Sequence, residues 1–181
     1  VIEYRPILPY TPPGWTIMTP VIPVPSKFSP EILTNTATIL KEKGFYHIAL
    51  YYYEKALEIN PNLKEAWNNL GELYNRLGKY NEAIKCFEKA LNIDPSYTPA
   101  LVNKGIALAK LGKTKEALQY FNKAININTR EKKAWYNKAV LLLSLGQHKE
   151  ALKHLTKALQ IDPNYKQAKS LLMILKIKHQ N

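Results

Sequence analysis

Only one stretch of this 181-residue chain looks like a catalytic motif: Leu111-Gly112-Lys113-Thr114 ends the way a phosphate-binding loop ends. Such a loop needs a second glycine five residues before Gly112, so that backbone N–H groups can wrap a phosphate. Ala107 stands there. The stretch also joins two helical patterns, where a phosphate loop would join a strand to a helix. The four histidines, His47, His148, His154 and His179, have no metal-ligand spacing, and His148 and His154 fall on different faces of one helix. Cys86 is the lone cysteine; next to Phe87 in an apolar pattern it reads as core, not as a nucleophile. No paired carboxylates and no Gly-x-Ser-x-Gly elbow occur. The expectation is a chain that is not an enzyme and holds no metal and no cofactor.

The chemistry that remains is hydrogen bonding by amides. Asn35, Asn69, Asn103 and Asn137 recur at a fixed interval of 34 residues. Each side chain offers a donor and an acceptor, so a ladder of them suits an extended peptide backbone of any sequence. A ladder requires elements that repeat with the same period. Ala49, Ala83, Ala117 and Ala151 keep it; so do Ala56, Ala90, Ala124 and Ala158, and Gly44, Gly78, Gly112 and Gly146. A period of this length is the mark of a stacked repeat architecture.

Each period reads as two helices. In the second, Trp67, Leu70, Leu73, Tyr74 and Leu77 have helical spacing, and Gly78 stands where a left-handed residue ends a helix. Ala83, Ile84, Phe87, Ala90 and Leu91 share one face of the next helix, from about Asn81 to Ile93, which Asp94-Pro95 closes. Gly71 and Ala83 are the expected points of close helix crossing. Trp67 and Phe87 are expected to fill the space between neighbouring pairs.

This set resembles the tetratricopeptide-repeat (TPR) pattern. Residues 64–97 match it at Trp67, Leu70, Gly71, Tyr74, Ala83, Phe87, Ala90 and Pro95. Residues 98–131 match with Lys104 in place of the leucine, residues 132–165 match from Trp135 to Pro163, and residues 30–63 diverge most. Residues 166–181 read as a capping helix over the last pair. The resemblance implies an all-α fold, a right-handed superhelix (α-solenoid) of four helix-turn-helix repeats plus the C-terminal cap, preceded by an extended proline-rich arm at 1–29. It also implies a scaffold that binds a protein or peptide in its concave groove.

In such proteins the second, fifth, sixth, ninth and twelfth positions of each repeat face the groove. The four asparagines are sixth positions here. Val102 and Tyr136 (fifth), Ile106, Val140 and Ile174 (ninth) and Leu143 (twelfth) would form an apolar strip, while Thr38, Lys41 and Glu72 make the N-terminal part polar. Chaperone-tail binders of this family hold a terminal carboxylate with Lys and Asn at the fifth and ninth positions. Thr34, Thr38, Asn68 and Glu72 stand there, and Glu72 would repel a carboxylate.

The arm holds eight of the twelve prolines, counting Pro30, which forbids helix and favours extended chain. It also carries Ile7, Leu8, Tyr10, Trp15, Ile17, Met18, Val21, Ile22 and Val24, more large apolar groups than a solvated tail needs. The expectation is that it docks in a repeat groove, its own or a neighbour's. Docking on a neighbour would make a homo-oligomer or filament, a structural, self-assembling alternative to the scaffold.

The formal charge of +12 is concentrated in the C-terminal half: residues 98–131, 132–165 and 166–181 each carry +4. That favours acidic partners. With no single basic stripe evident, nucleic acid is disfavoured as the partner. No apolar run is long enough for a membrane span. One thiol suits a reducing compartment, so a cytoplasmic setting is slightly favoured; the chain opens on Val1, which leaves a secreted or surface setting open.

Overall fold

A computed structural model of the chain describes residues 28–178, with side chains as far as Leu175. The expected groove docking of the arm therefore lies outside the described residues.

The helices are α1 (Pro30–Glu42), α2 (Tyr46–Ile59), α3 (Lys64–Arg76), α4 (Tyr80–Ile93), α5 (Thr98–Lys110), α6 (Thr114–Ile127), α7 (Lys132–Ser144), α8 (His148–Ile161) and α9 (Lys166–Lys178). No strand occurs among the described residues. Four antiparallel hairpins, α1–α2 to α7–α8, stack in chain order, and α9 packs on α8.

Local chemistry ends the helices α1 to α8. Gly78 has φ +73°, a left-handed conformation that costs a side-chain-bearing residue about 1–2 kcal/mol. That geometry lets the Lys79 N–H donate to the Tyr74 carbonyl at 2.9 Å and the Gly78 N–H to the Asn75 carbonyl at 3.1 Å, satisfying the last carbonyls of α3. Gly44, Gly112 and Gly146 end α1, α5 and α7 the same way. After each second helix an Asx residue takes over. Asn60, Asp94, Asn128 and Asp162 each accept the backbone N–H two residues on, at 2.9–3.0 Å, turning the chain into the next repeat. Trp67 and Trp135 then donate through Nε1 to the carbonyls of Pro61 and Thr129 (2.8 and 2.9 Å). Thr129 thus keeps the acceptor in place of the missing proline, because that acceptor is a backbone carbonyl.

The eighth position of each repeat is small: Ala37, Gly71, Gly105 and Ala139. A Cβ on Gly71 would lie 2.5 Å from Cε1 of Phe87, so this ring rests on the glycine of its own hairpin. Phe87 also belongs to a cluster with Ala100 and Ala107 of the following repeat. It therefore joins its own hairpin as well as the next, where the sequence suggested only the second. Gly105 and Phe121 repeat the arrangement at 2.6 Å.

Lys104, the departure from the leucine pattern, is buried. Its ammonium lies 2.8 Å from Glu88 and over the Tyr120 ring at 4.6 Å, so charge pairing and a cation–π contact replace apolar packing.

The first helices α1, α3, α5 and α7 touch one another across repeats, and no comparable contact joins α2 to α4, α4 to α6 or α6 to α8. The stack therefore curves with its first helices on the inner side. That geometry creates the candidate site.

Candidate binding groove

The N-terminal part of the inner wall is a hydrogen-bonded network spanning three repeats. Lys41 on α1 is buried, and its ammonium meets Glu72 Oε2 on α3 at 2.7 Å. The other carboxylate oxygen, Oε1, accepts from Asn103 Nδ2 on α5 at 3.0 Å. Asn103 also donates to Asn68 Oδ1 at 2.9 Å, and Asn69 donates to Thr38 Oγ1 at 3.3 Å. The Thr38 hydroxyl donates to the Thr34 carbonyl and lies 2.9 Å from the Tyr53 hydroxyl. Burial alone would raise the Glu72 carboxyl, but the hydrogen bonds of Lys41 and Asn103 and the charges of Lys41 and Lys133 outweigh it. The group is held below its ordinary range. Burial pushes Tyr53 up to about 12, so its hydroxyl stays protonated in the network.

This network changes the reading of Glu72. The sequence shows a carboxylate that would repel an acidic ligand; the structure shows that carboxylate paired with Lys41. Position twelve of one repeat lies beside position nine of the next on the curved wall. Comparing neighbouring repeats at those two positions would have exposed the pair.

The four asparagines do not form one uniform row. Asn69 and Asn103 spend donors inside the network. Asn137 donates to the Lys133 carbonyl of its own helix at 2.8 Å, and Asn35 is exposed.

Beyond Asn103 the wall turns apolar. Val140 is 40% exposed and Ile174 53%, while Ile106, Tyr136 and Leu143 are half-buried. The Tyr136 ring stacks edge-on with Tyr165 at 5.2 Å, which fixes its position in the wall. Val102 does not belong to this strip. It is 2% exposed, in a core cluster with Leu101 and Leu141, because the contact between neighbouring first helices covers the fifth position on α5.

Residues 111–113 form the turn between α5 and α6, and the hydroxyl of Thr114, which opens α6, bonds back to the Gly112 carbonyl. Burial pushes the Cys86 thiol up to about 12, and Glu82 adds to it, which removes the thiolate needed for nucleophilic chemistry. Among the described residues no cluster of His, Cys, Asp and Glu could hold a metal, and no helix is long and apolar enough to cross a membrane. Lys149, Lys153 and Lys157, spaced four apart, line up along an exposed face of α8. This is a basic stripe on the outer side, where the sequence gives no stripe to expect.

Family models described as tetratricopeptide repeat match residues 29–96, 62–130 and 133–165. No curated protein matches the chain. Among solved structures, the protein MamA is similar at 25% identity, covering 80% of this chain and 84% of its own, with a TM-score of 0.65. YrrB, described as a TPR protein with an unusual peptide-binding site, is similar at 28% identity, covering 82% and 77%, with a TM-score of 0.60. TTC0263, a TPR protein of Thermus thermophilus, shares 22% identity and 83% of each chain at a TM-score of 0.76.

Proposed function

Since the chain belongs to the tetratricopeptide-repeat family, we propose that it is a non-catalytic scaffold whose inner wall grips an extended segment of another protein. The carrying observation is the exposure of Val140 and Ile174 on a wall whose polar part is paired internally from Lys41 through Glu72 to Asn103. Apolar groups left open on a concave surface gain from being covered, at about 25 cal/mol for each Å² removed from water. The ligand is therefore apolar where it meets Ile106, Tyr136, Val140, Leu143 and Ile174. Asn35 and the polar network serve its backbone or polar groups. The peptide-binding site for which YrrB is described supports the reading by analogy.

The test is selection of peptides on the purified chain, followed by calorimetry on variants. Burying an unpaired carboxylate against an apolar ligand is costly, so Val140→Asp is expected to weaken binding about tenfold or more. Lys153→Ala, on the outer side, should leave affinity unchanged. Binding that ignores Val140→Asp and falls with Lys153→Ala would contradict the proposal.

A second reading, assembly of copies of this chain, draws on α9. Met173 occupies the eighth position, small in every repeat, and is exposed beside Ile174. Size that rises with concentration would favour this reading. Nucleic-acid binding through the α8 lysines would show a steep salt dependence, and Glu82, Glu116 and Glu150 on the second helices weigh against it.

A further inference from the structure

The N-terminal end of the stack exposes an apolar face that every later repeat buries. The third position of a repeat is Ala66, Ala100, Ala134 or Ala168, and the tenth is Leu73, Ala107, Leu141 or Leu175; all of these are buried. Where a repeat precedes, its second helix packs against this side of the first helix. In α1 the same positions are Ile32 and Ile39, which are 49% and 57% exposed, with Phe28 exposed next to the helix start. No described helix precedes α1, so nothing among the described residues covers them.

The residue types indicate what kind of cover fits. Alanine at the third position lets the preceding helix approach closely. Isoleucine at that position would hold such a helix away, so the face suits something thinner. The residues immediately upstream suit that role. Pro20, Pro23 and Pro25 exclude a helix and favour extended chain, and Val21, Ile22 and Val24 supply apolar groups between them. Ser29 enters α1 with extended backbone (φ −67°, ψ 151°) and caps it by accepting the Ile32 N–H. Between these parts, Val24-Pro25-Ser26-Lys27 has the proline placement of a chain reversal. The lengths agree as well. Ile32 and Ile39 are seven residues apart, about 10 Å along a helix, which three or four residues of polyproline-type chain span.

We propose that residues 17–25 fold back as extended chain across α1 and cap the N-terminal end of the solenoid, placing Val21, Ile22 and Val24 over Ile32 and Ile39. The segment then serves as the missing neighbour of the first repeat and leaves the concave groove free. This differs from the groove docking expected from the sequence, and it is independent of what the groove binds.

Thiol labelling tests the proposal in the full chain. Cys86 is buried with its thiol pushed up to about 12, so an introduced cysteine reports alone. Ile39→Cys sits on a surface position and should leave the fold intact. Compared with Lys123→Cys on the exposed side of α6, its reaction with a maleimide should be slowed about tenfold or more, in proportion to how rarely the cover opens. Adding Ile22→Asp and Val24→Asp should return it to the control rate. The slowing should not depend on protein concentration. Labelling of Ile39→Cys at the control rate would overturn the proposal, as would protection that survives the two aspartates. Protection that appears only as concentration rises would also overturn it, and would assign the face to a second copy of the chain.

Discussion

The fate of single side chains on the inner wall follows from their neighbours in adjacent repeats. Glu72 is the clearest instance. The sequence shows its charge, but only the curvature of the stack brings Lys41 and Asn103 to it. The pair has a definite pH dependence. The Glu72 carboxyl titrates below its ordinary 4.5 in the folded chain, so the unfolded chain binds the proton more readily. The stabilisation is present above about pH 4.5 and is lost as the pH falls through the folded value. Glu72→Gln leaves the buried Lys41 ammonium without its counter-charge. With the Glu72 side chain 32% exposed, the cost at pH 7 should fall below that of a fully buried pair, at roughly 1–3 kcal/mol. Chemical denaturation of the two proteins should show this gap at pH 7 and a smaller one well below pH 4.5. An equal gap at both pH values would mean that the pair is not what Glu72 contributes. Val102 carries the complementary lesson. Its position in the repeat points to the groove, but contact between first helices covers it.

At the level of elements the sequence is far more explicit, because the helix ends are local. The glycines at 44, 78, 112 and 146 mark the ends of first helices and take the left-handed conformation. Asp94-Pro95 marks the end of α4 at Ile93, and the start of that helix differs from the reading by one residue. Less legible is how the two helices of a hairpin meet. Gly71 reads as a crossing point, yet the ring that occupies it, Phe87, reads from sequence as filling the space between hairpins. Pairing of the eighth and twenty-fourth positions explains both. Repeats two and three use Gly with Phe, and repeat four uses Ala139 with Leu155. Gly105→Ala should therefore cost about 1–3 kcal/mol, since its Cβ would clash with the Phe121 ring. The double variant Gly105→Ala/Phe121→Leu copies the fourth repeat and should be more stable than the sum of the two single changes by about 1 kcal/mol. Thermal or urea unfolding of the four proteins measures this coupling. Simple additivity would show that the two positions do not share the site.

Across the whole molecule, the 34-residue period dictates a one-dimensional stack in which every repeat depends on its neighbours. The period repeats the fold but not the wall. From Thr38 to Asn103 the inner surface is polar and, apart from the buried Asn75 Oδ1, internally paired; from Ile106 to Ile174 it is open and apolar. This gradient is legible in the sequence as a list of ninth and twelfth positions. Its meaning depends on exposure, which only the packed stack reveals. The proposed cap over α1 belongs to the same scale, because it would close the end of the stack where Ile32 stands in place of the alanine that seats a neighbour in every later repeat.

The most direct test of the account is methyl NMR of the chain titrated with a selected peptide, since isoleucine, leucine and valine methyls report from both sides of the solenoid. The account predicts that the signals of Ile106, Val140, Leu143 and Ile174 shift, while those of Ile59, Ile93, Ile127 and Leu152 on the second helices stay in place. Shifts confined to the second-helix methyls would contradict it, and would move the binding surface to the outer side of the stack.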